Sequence, residues 1–293
     1  MDKNNNPRKA CFFALLTIIF WSTVASAFKI ALINLNILHL LLISNATAIL
    51  STFIILILSG KYYKIFNYSI LYHSRSLFLG FLNPYIYYIV LFKAYSLLPA
   101  QIAQPLNFTW PVVLTVMSII LLGQKISFKS FLSILISFIG VIFISAQGNL
   151  TGYKINNPFG VFLSLISAVI WSSYWIFNMK DKREEEVKIF FNFLCSGFYI
   201  AITCLILSDF NIMLTTGFYA AIYIGLFEMG ITFIFWIKAL QLSKSTDRIV
   251  NLIYATPFLS LILIHFILKE EIFITSVIGL ILIVLGIIIQ RIR

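Results

Sequence analysis

The stretch PFGVFLSLISAVIWSSYWIFNM, residues 158–179, decides the fold. It carries no charged side chain from end to end. A helix needs about 20 mostly apolar residues to cross a bilayer core of about 30 Å, so this segment has the length and composition of a transmembrane helix. Its apolar residues run continuously instead of alternating, which argues against a barrel strand. Working outward, nine further segments read the same way, at about 10–33, 37–59, 77–98, 100–122, 128–147, 189–208, 215–239, 245–267 and 272–290. The connections between them are short, so successive spans must lie antiparallel. The expected fold is an all-α membrane protein with ten transmembrane helices.

Composition agrees. The 293 residues are 61% apolar and 11% charged, against about 45–50% and about 25% in a typical soluble domain. Too few charges remain to cover a water-facing surface, which excludes a cytosolic globular protein, a disordered chain and a nucleic-acid-binding domain. The net charge of +11 is explained by its distribution. With the N-terminus inside, Lys3, Arg8, Lys9, Lys61, Lys64, Arg75, Lys125, Lys129, Lys180, Lys182, Arg183, Lys188, Lys238, Lys244, Arg248, Arg291 and Arg293 fall on the inner side, 17 of the 21 cations. Cytoplasmic loops are enriched in Lys and Arg, so both termini are expected in the cytoplasm. The charge reports topology and some attraction to anionic membrane lipid, and no aromatic-interleaved basic groove supports a nucleic-acid partner. Residues 1–27 also have the layout of a signal peptide, but the apolar run continues to Ile33 and the repeat described next needs this helix.

The two halves echo each other. Trp21-Ser22 in span 1 matches Trp171-Ser172 in span 6, Pro111 matches Pro257, Gln124-Lys125-Ile126 matches Glu270-Glu271-Ile272, and Gly140 matches Gly286. Each half (1–147 and 158–293) holds five spans. An odd number turns the second half upside down, and inverted repeats are a mark of secondary transporters whose substrate site lies near the midplane.

Polar groups inside hydrocarbon are expensive and therefore informative. Glu228, in span 8, is the carboxylate set deep in a span, and Asn83 is its counterpart in span 3. The acid reads as a partner for a substrate amine or as a route for proton coupling; the plainer reading is a neutral acid bonded to a neighbouring helix. Gln104, Asn107 or Phe108, and Pro111 are expected to share a face of span 4, next to Trp110, and Asn251, Tyr254 and Phe258 a matching face of span 9 beside Pro257. Those faces read as cavity lining, or as ordinary interhelical hydrogen bonds. Trp21, Trp171 and Trp175 suit a planar or apolar group and could stack on a cation, or they simply pack. No catalytic set, metal motif or cofactor signature is found. The run from Asp181 to Glu186 reads as a solvated loop, and Cys11, Cys195 and Cys204 as small packing residues.

At Trp21-Ser22-Thr23, Asn107-Phe108-Thr109-Trp110-Pro111, Gly123-Gln124-Lys125 and Thr256-Pro257-Phe258-Leu259-Ser260 the chain resembles the EamA branch of the drug/metabolite transporter superfamily, and is especially similar to bacterial aromatic amino-acid exporters. The resemblance implies a ten-helix, basket-shaped protein of the bacterial inner membrane with a central cavity between its halves. It implies outward movement of small metabolites by alternating access. Glu228-Met229-Gly230 departs from the pattern of the aromatic exporters. The expected function is secondary transport of small metabolites, amino acids first among them. An intramembrane transferase or lipid-modifying enzyme, and a non-transporting membrane subunit, are the alternatives.

Overall fold

The computed structural model describes residues 6–122, 128–149, 157–208, 213–243 and 252–291. Among them the chain is helical and contains no strand. In order, the helices are α1 (Pro7–Asn34), α2 (Ile37–Leu58), α3 (Ile70–Gly80), α4 (Tyr87–Leu97), α5 (Ala100–Asn107), α6 (Trp110–Leu122) and α7 (Phe128–Ser145). They continue as α8 (Pro158–Met179), α9 (Glu185–Leu207), α10 (Thr216–Ile224), α11 (Ile231–Leu242), α12 (Thr256–Leu268) and α13 (Ile274–Arg291). One π-helical turn, Phe81–Ile86, joins α3 to α4, and another, Gly225–Gly230, joins α10 to α11.

Six helical stretches are long and apolar enough to cross a membrane: Pro7–Asn34, Ile37–Leu58, Ile70–Leu97, Pro158–Met179, Glu185–Leu207 and Thr216–Leu242. Shorter apolar helices cover Phe131–Ser145, Ile253–Leu268 and Ile274–Ile289. Large apolar side chains such as Phe198, Leu205, Ile206 and Leu207 on α9 stand exposed. Each would cost about 1.5–3 kcal/mol against water, and hydrocarbon removes that cost. The protein is a multi-pass membrane protein.

Span 4 is interrupted just before Pro111. It is divided, with Gln104 and Asn107 in α5 and Trp110 and Pro111 in α6. Pro111 has no N–H to offer the Asn107 carbonyl, and the Thr109 hydroxyl donates to the Leu106 carbonyl at 2.7 Å. The helix is thus interrupted by a short turn between Asn107 and Trp110.

Helix starts follow cap chemistry. Asn6 Oδ1 accepts from Lys9 N and Asn157 Oδ1 from Gly160 N, each with proline as the next residue. Proline there gives up a donor that would be orphaned anyway. Asn36 caps α2 through His39 N at 2.8 Å.

Contacts divide the chain into two compact units. Unit 1 comprises Met1–Ile89 and Asp181–Leu263, and unit 2 Val90–Lys180 and Ile264–Arg293. In unit 1, α1 packs on α10 and α11, and α2 on α9. In unit 2 the dominant pairing is α7 with α13. There a Cβ on Gly140 would lie 2.6 Å from the Gly279 carbonyl, and one on Gly279 2.5 Å from the Gly140 carbonyl, so only glycine allows this approach. The Ser133 hydroxyl donates to the Gly286 carbonyl. Shifting Ser133 and Gly140 by 146 positions gives Gly279 and Gly286. Each contact is thus the other with the two helices exchanged.

The run from Asp181 to Glu186 departs from expectation. It is not a solvated loop. The Asp181 and Arg183 side chains are fully buried and pair at 2.7 Å, and Arg183 also donates to the Ser76 hydroxyl of α3. Lys188 donates to Glu185 at 2.6 Å. Lys61 pairs with Glu184 and Glu186, and Lys64 with Glu184. Lys182 between them is exposed, so alternate side chains turn inward and find partners. Burial pushes the Asp181 carboxyl up, but hydrogen bonds and charge from Arg183 outweigh it and hold the group below the usual carboxylate range.

Candidate functional site

The site residues are best read within each unit. Unit 1 holds Trp21, Asn83, Glu228 and Tyr254; unit 2 holds Gln104, Asn107, Trp110, Trp171 and Trp175. Asn251 and Gln124-Lys125-Ile126 lie outside the described residues.

Asn83 and Glu228 occupy the two π turns of unit 1, 145 positions apart. Asn83 is extended (φ −145°, ψ 122°) and precedes a cis peptide to Pro84. Asn83 and Pro84 are buried, and Asn83 Oδ1 finds no partner. Gly80 opens this break, where a Cβ would overlap the Asn192 carbonyl of α9. Gly225, also 145 positions on, opens the other, where a Cβ would overlap the Ser44 carbonyl of α2. Irregular backbone at membrane depth is tolerated only where it is buried in protein or lines a cavity.

Glu228 does not bond Asn83. Its partner is Tyr88, whose hydroxyl donates to Glu228 Oε1 at 3.1 Å. Tyr88 is 1% exposed and sits edge-on to Phe28 (6.5 Å between ring centres) and Tyr87 (4.7 Å). Glu228 itself keeps part of its surface accessible. Beside it on the chain, Phe227 stacks on Phe20 at 4.4 Å. Trp21 leans on Phe233 and Trp236 of α11, and its Nε1 is buried without a partner, as is Thr232 Oγ1. Tyr254 is buried in the 3-10 turn Ile253–Ala255. Among the described residues, the spans of unit 1 thus offer one carboxylate at mid-span depth, Glu228, together with neutral polar atoms without partners at Trp21, Asn83 and Thr232, and aromatic side chains.

Unit 2 is more fully satisfied. Asn107 Nδ2 donates to the Ser167 hydroxyl at 2.8 Å, which is the plainer interhelical role. Trp171, Tyr174 and Trp175 pack against one another with ring centres 6.0 Å apart, Trp175 edge-on to the other two. Trp110 contributes its carbonyl to Ser172, whose hydroxyl donates at 2.9 Å. Gln104 Oε1 is buried without a partner. Glu270 accepts from the N–H groups of Ala100 and Gln101 at the start of α5, a favourable place for an anion. Among the described residues no three His, Cys, Asp or Glu side chains gather as metal ligands.

One contact is made twice, once in each unit, and a second recurs with a different donor atom. The Ser22 hydroxyl donates to the Thr256 carbonyl at 3.1 Å, just as Ser172 does to Trp110; in both cases the carbonyl precedes a proline. Asn6 N donates to the Leu242 carbonyl, and Asn157 Nδ2 to the Leu97 carbonyl. The Trp-Ser repeat signals the first pair. The Asn6-Pro7 and Asn157-Pro158 steps signal the second, although hydropathy alone passes over them. Tyr88 has no such signal.

The EamA-like transporter family profile matches residues 8–146 and again 158–291. An uncharacterized transporter of Clostridium kluyveri is 27% identical over 182 residues, covering 58% of this chain and 56% of its own length. The chain therefore spans about half the length of this curated relative. A crystal structure superposes with a TM-score of 0.69 at 19% identity, covering 96% of each chain; that likeness concerns the fold.

Proposed function

The chain belongs to the EamA-like transporter family, and from that premise we propose that it is a membrane transporter of the drug/metabolite type, moving amine-bearing small metabolites, amino acids first among them, out of the cell by alternating access. The observation that carries this reading is Glu228, a carboxylate in the middle of a span, held by one oxygen and still partly accessible. Ionisable groups at such depth mark substrate or ion pathways. The aromatic pairs between α1 and the helix carrying Glu228, Phe20 on Phe227 and Trp21 on Phe233, suit the apolar body of an aromatic amino acid. Proton coupling would run through the same carboxyl.

The reading includes two inverted repeats, 1–147 and 158–293, of five spans each, with both termini on the cytoplasmic side of a bacterial inner membrane. The twinned Ser22 and Ser172 bonds, the twinned Asn-Pro helix starts and the exchange-related α7/α13 crossing support it. Two halves of like construction can trade conformations and so expose one site to each side in turn. Uptake of pooled labelled amino acids by proteoliposomes tests the proposal. Accumulation by the parent and its loss in Glu228→Gln are expected; an inert parent, or equal uptake by both, would end the amino-acid reading.

A further inference from the structure

A carboxylate that receives a ligand must be aimed, and in this protein the aiming group is visible. The terminal torsion of a glutamate side chain is broad and weakly restrained by itself. The Tyr88 hydroxyl restrains it by donating to Oε1. Tyr88 is in turn held still, nearly fully buried and edge-on to the rings of Phe28 and Tyr87. It lies two residues beyond the first π turn, so the break that carries Asn83 also sets the height and rotation of the hydroxyl. The π turn around Glu228 is set separately, by the close approach of Gly225 to α2. Both breaks therefore converge on one hydrogen bond.

We propose that Tyr88 is a positioning residue for ligand recognition: by occupying Glu228 Oε1 it presents Oε2 to an N–H of a protonated primary or secondary amine, so that the site reads the hydrogens of the ammonium group and discriminates against a quaternary ammonium with the same body. This rests on the reading that Glu228 meets the substrate amine. A charge alone would accept either cation, since aromatic faces attract both. A fixed acceptor adds a directional bond that only the N–H donor can complete, and charge-assisted bonds are the stronger kind. A site built around such a bond penalises the analogue that lacks the donor.

Phenethylamine and its N,N,N-trimethyl derivative, titrated separately against the purified full-length protein with thermal stabilisation as the readout, test the proposal. The parent is expected to bind the primary amine at least about tenfold more tightly, the size of one charged hydrogen bond. Tyr88→Phe keeps the ring and removes only the hydroxyl; it should shrink that ratio to about threefold or less while the quaternary probe binds as before. Glu228→Gln should lose both probes. Glu228→Gln binding like the parent would overturn the Glu228 reading itself. Loss of binding in Glu228→Gln with an undiminished ratio in Tyr88→Phe would overturn only the role of Tyr88. If the phenylalanine variant does not fold, 3-fluorotyrosine at position 88 keeps the shape and strengthens the donor; a changed ratio supports the proposal and an unchanged one overturns it.

Discussion

Span 3 breaks at Phe81–Ile86 and span 8 at Gly225–Gly230, and the two breaks share a frame while differing in the side chain they carry. In each, a glycine lets the helix meet a backbone carbonyl of a neighbour, Gly80 on α9 and Gly225 on α2. In each, the side chain three positions later is polar. In the first it is the neutral amide of Asn83, whose oxygen has no partner; in the second it is the carboxyl of Glu228, bonded to Tyr88. The frame is geometry and was worth building twice. The charge occurs once, because a second carboxylate at this depth would add another desolvation penalty and repel the first. The anchoring of the two breaks differs as well. The helix leading into the first, α3, is tied at Ser76 to the buried Arg183–Asp181 pair. The helix leading into the second, α10, is tied by neutral bonds from Thr216 and Gly217 to Asn34.

The largest expected effect breaks the first anchor. Asp181→Asn leaves a buried guanidinium uncompensated, a loss of about 3–5 kcal/mol, read as a lowered denaturation midpoint in detergent. The same pair predicts a pH response. The folded-state pKa of Asp181 is depressed, so its stabilisation is complete above the ordinary carboxyl range and is lost as pH falls through the folded value. Acidification below about pH 4 should destabilise the parent more than Asp181→Asn.

Next comes the charge itself. Glu228→Gln is isosteric and should fold normally, yet transport should fall about 100-fold, the scale of losing one member of a buried charged contact. Asn83→Ala should change transport far less. Comparable losses from both would mean that the two breaks share the chemistry as well as the frame.

Gly80→Ala and Gly225→Ala test the frame directly. Each places a methyl group against a carbonyl and should cost about 1–3 kcal/mol, and the two costs should be similar. If thermal denaturation shows one of them tolerated, the equivalence of the breaks fails. The smallest effect is Asn34→Ala, about 1 kcal/mol for lost neutral hydrogen bonds, well below the cost at Asp181.

Much of this was legible in the amino-acid sequence. Apolar runs betray helices because hydrocarbon tolerates little else, and Glu228 stands out because a carboxylate there is costly. The 145-position spacing from Asn83 to Glu228 marks equivalent breaks. Tyr88 was not legible. A π turn winds more slowly than an α-helix, so regular spacing from Asn83 does not tell which of Tyr85, Tyr87 or Tyr88 turns toward span 8. Asp181 and Arg183 were hidden by their neighbours, since a run of six charged residues looks solvated until the fold shows alternate side chains inward. Asn107 carried the right residue type for a cavity, but Ser167 claims its amide nitrogen.

The most direct test is counterflow in proteoliposomes preloaded with unlabelled amino acids, with N-acetylated amino acids as competitors. If Glu228 reads the substrate amine, free amino acids will compete with the labelled one, their N-acetyl forms will not, and Glu228→Gln will show no counterflow. Equal competition by the N-acetyl forms, or parental exchange in Glu228→Gln, would contradict the account.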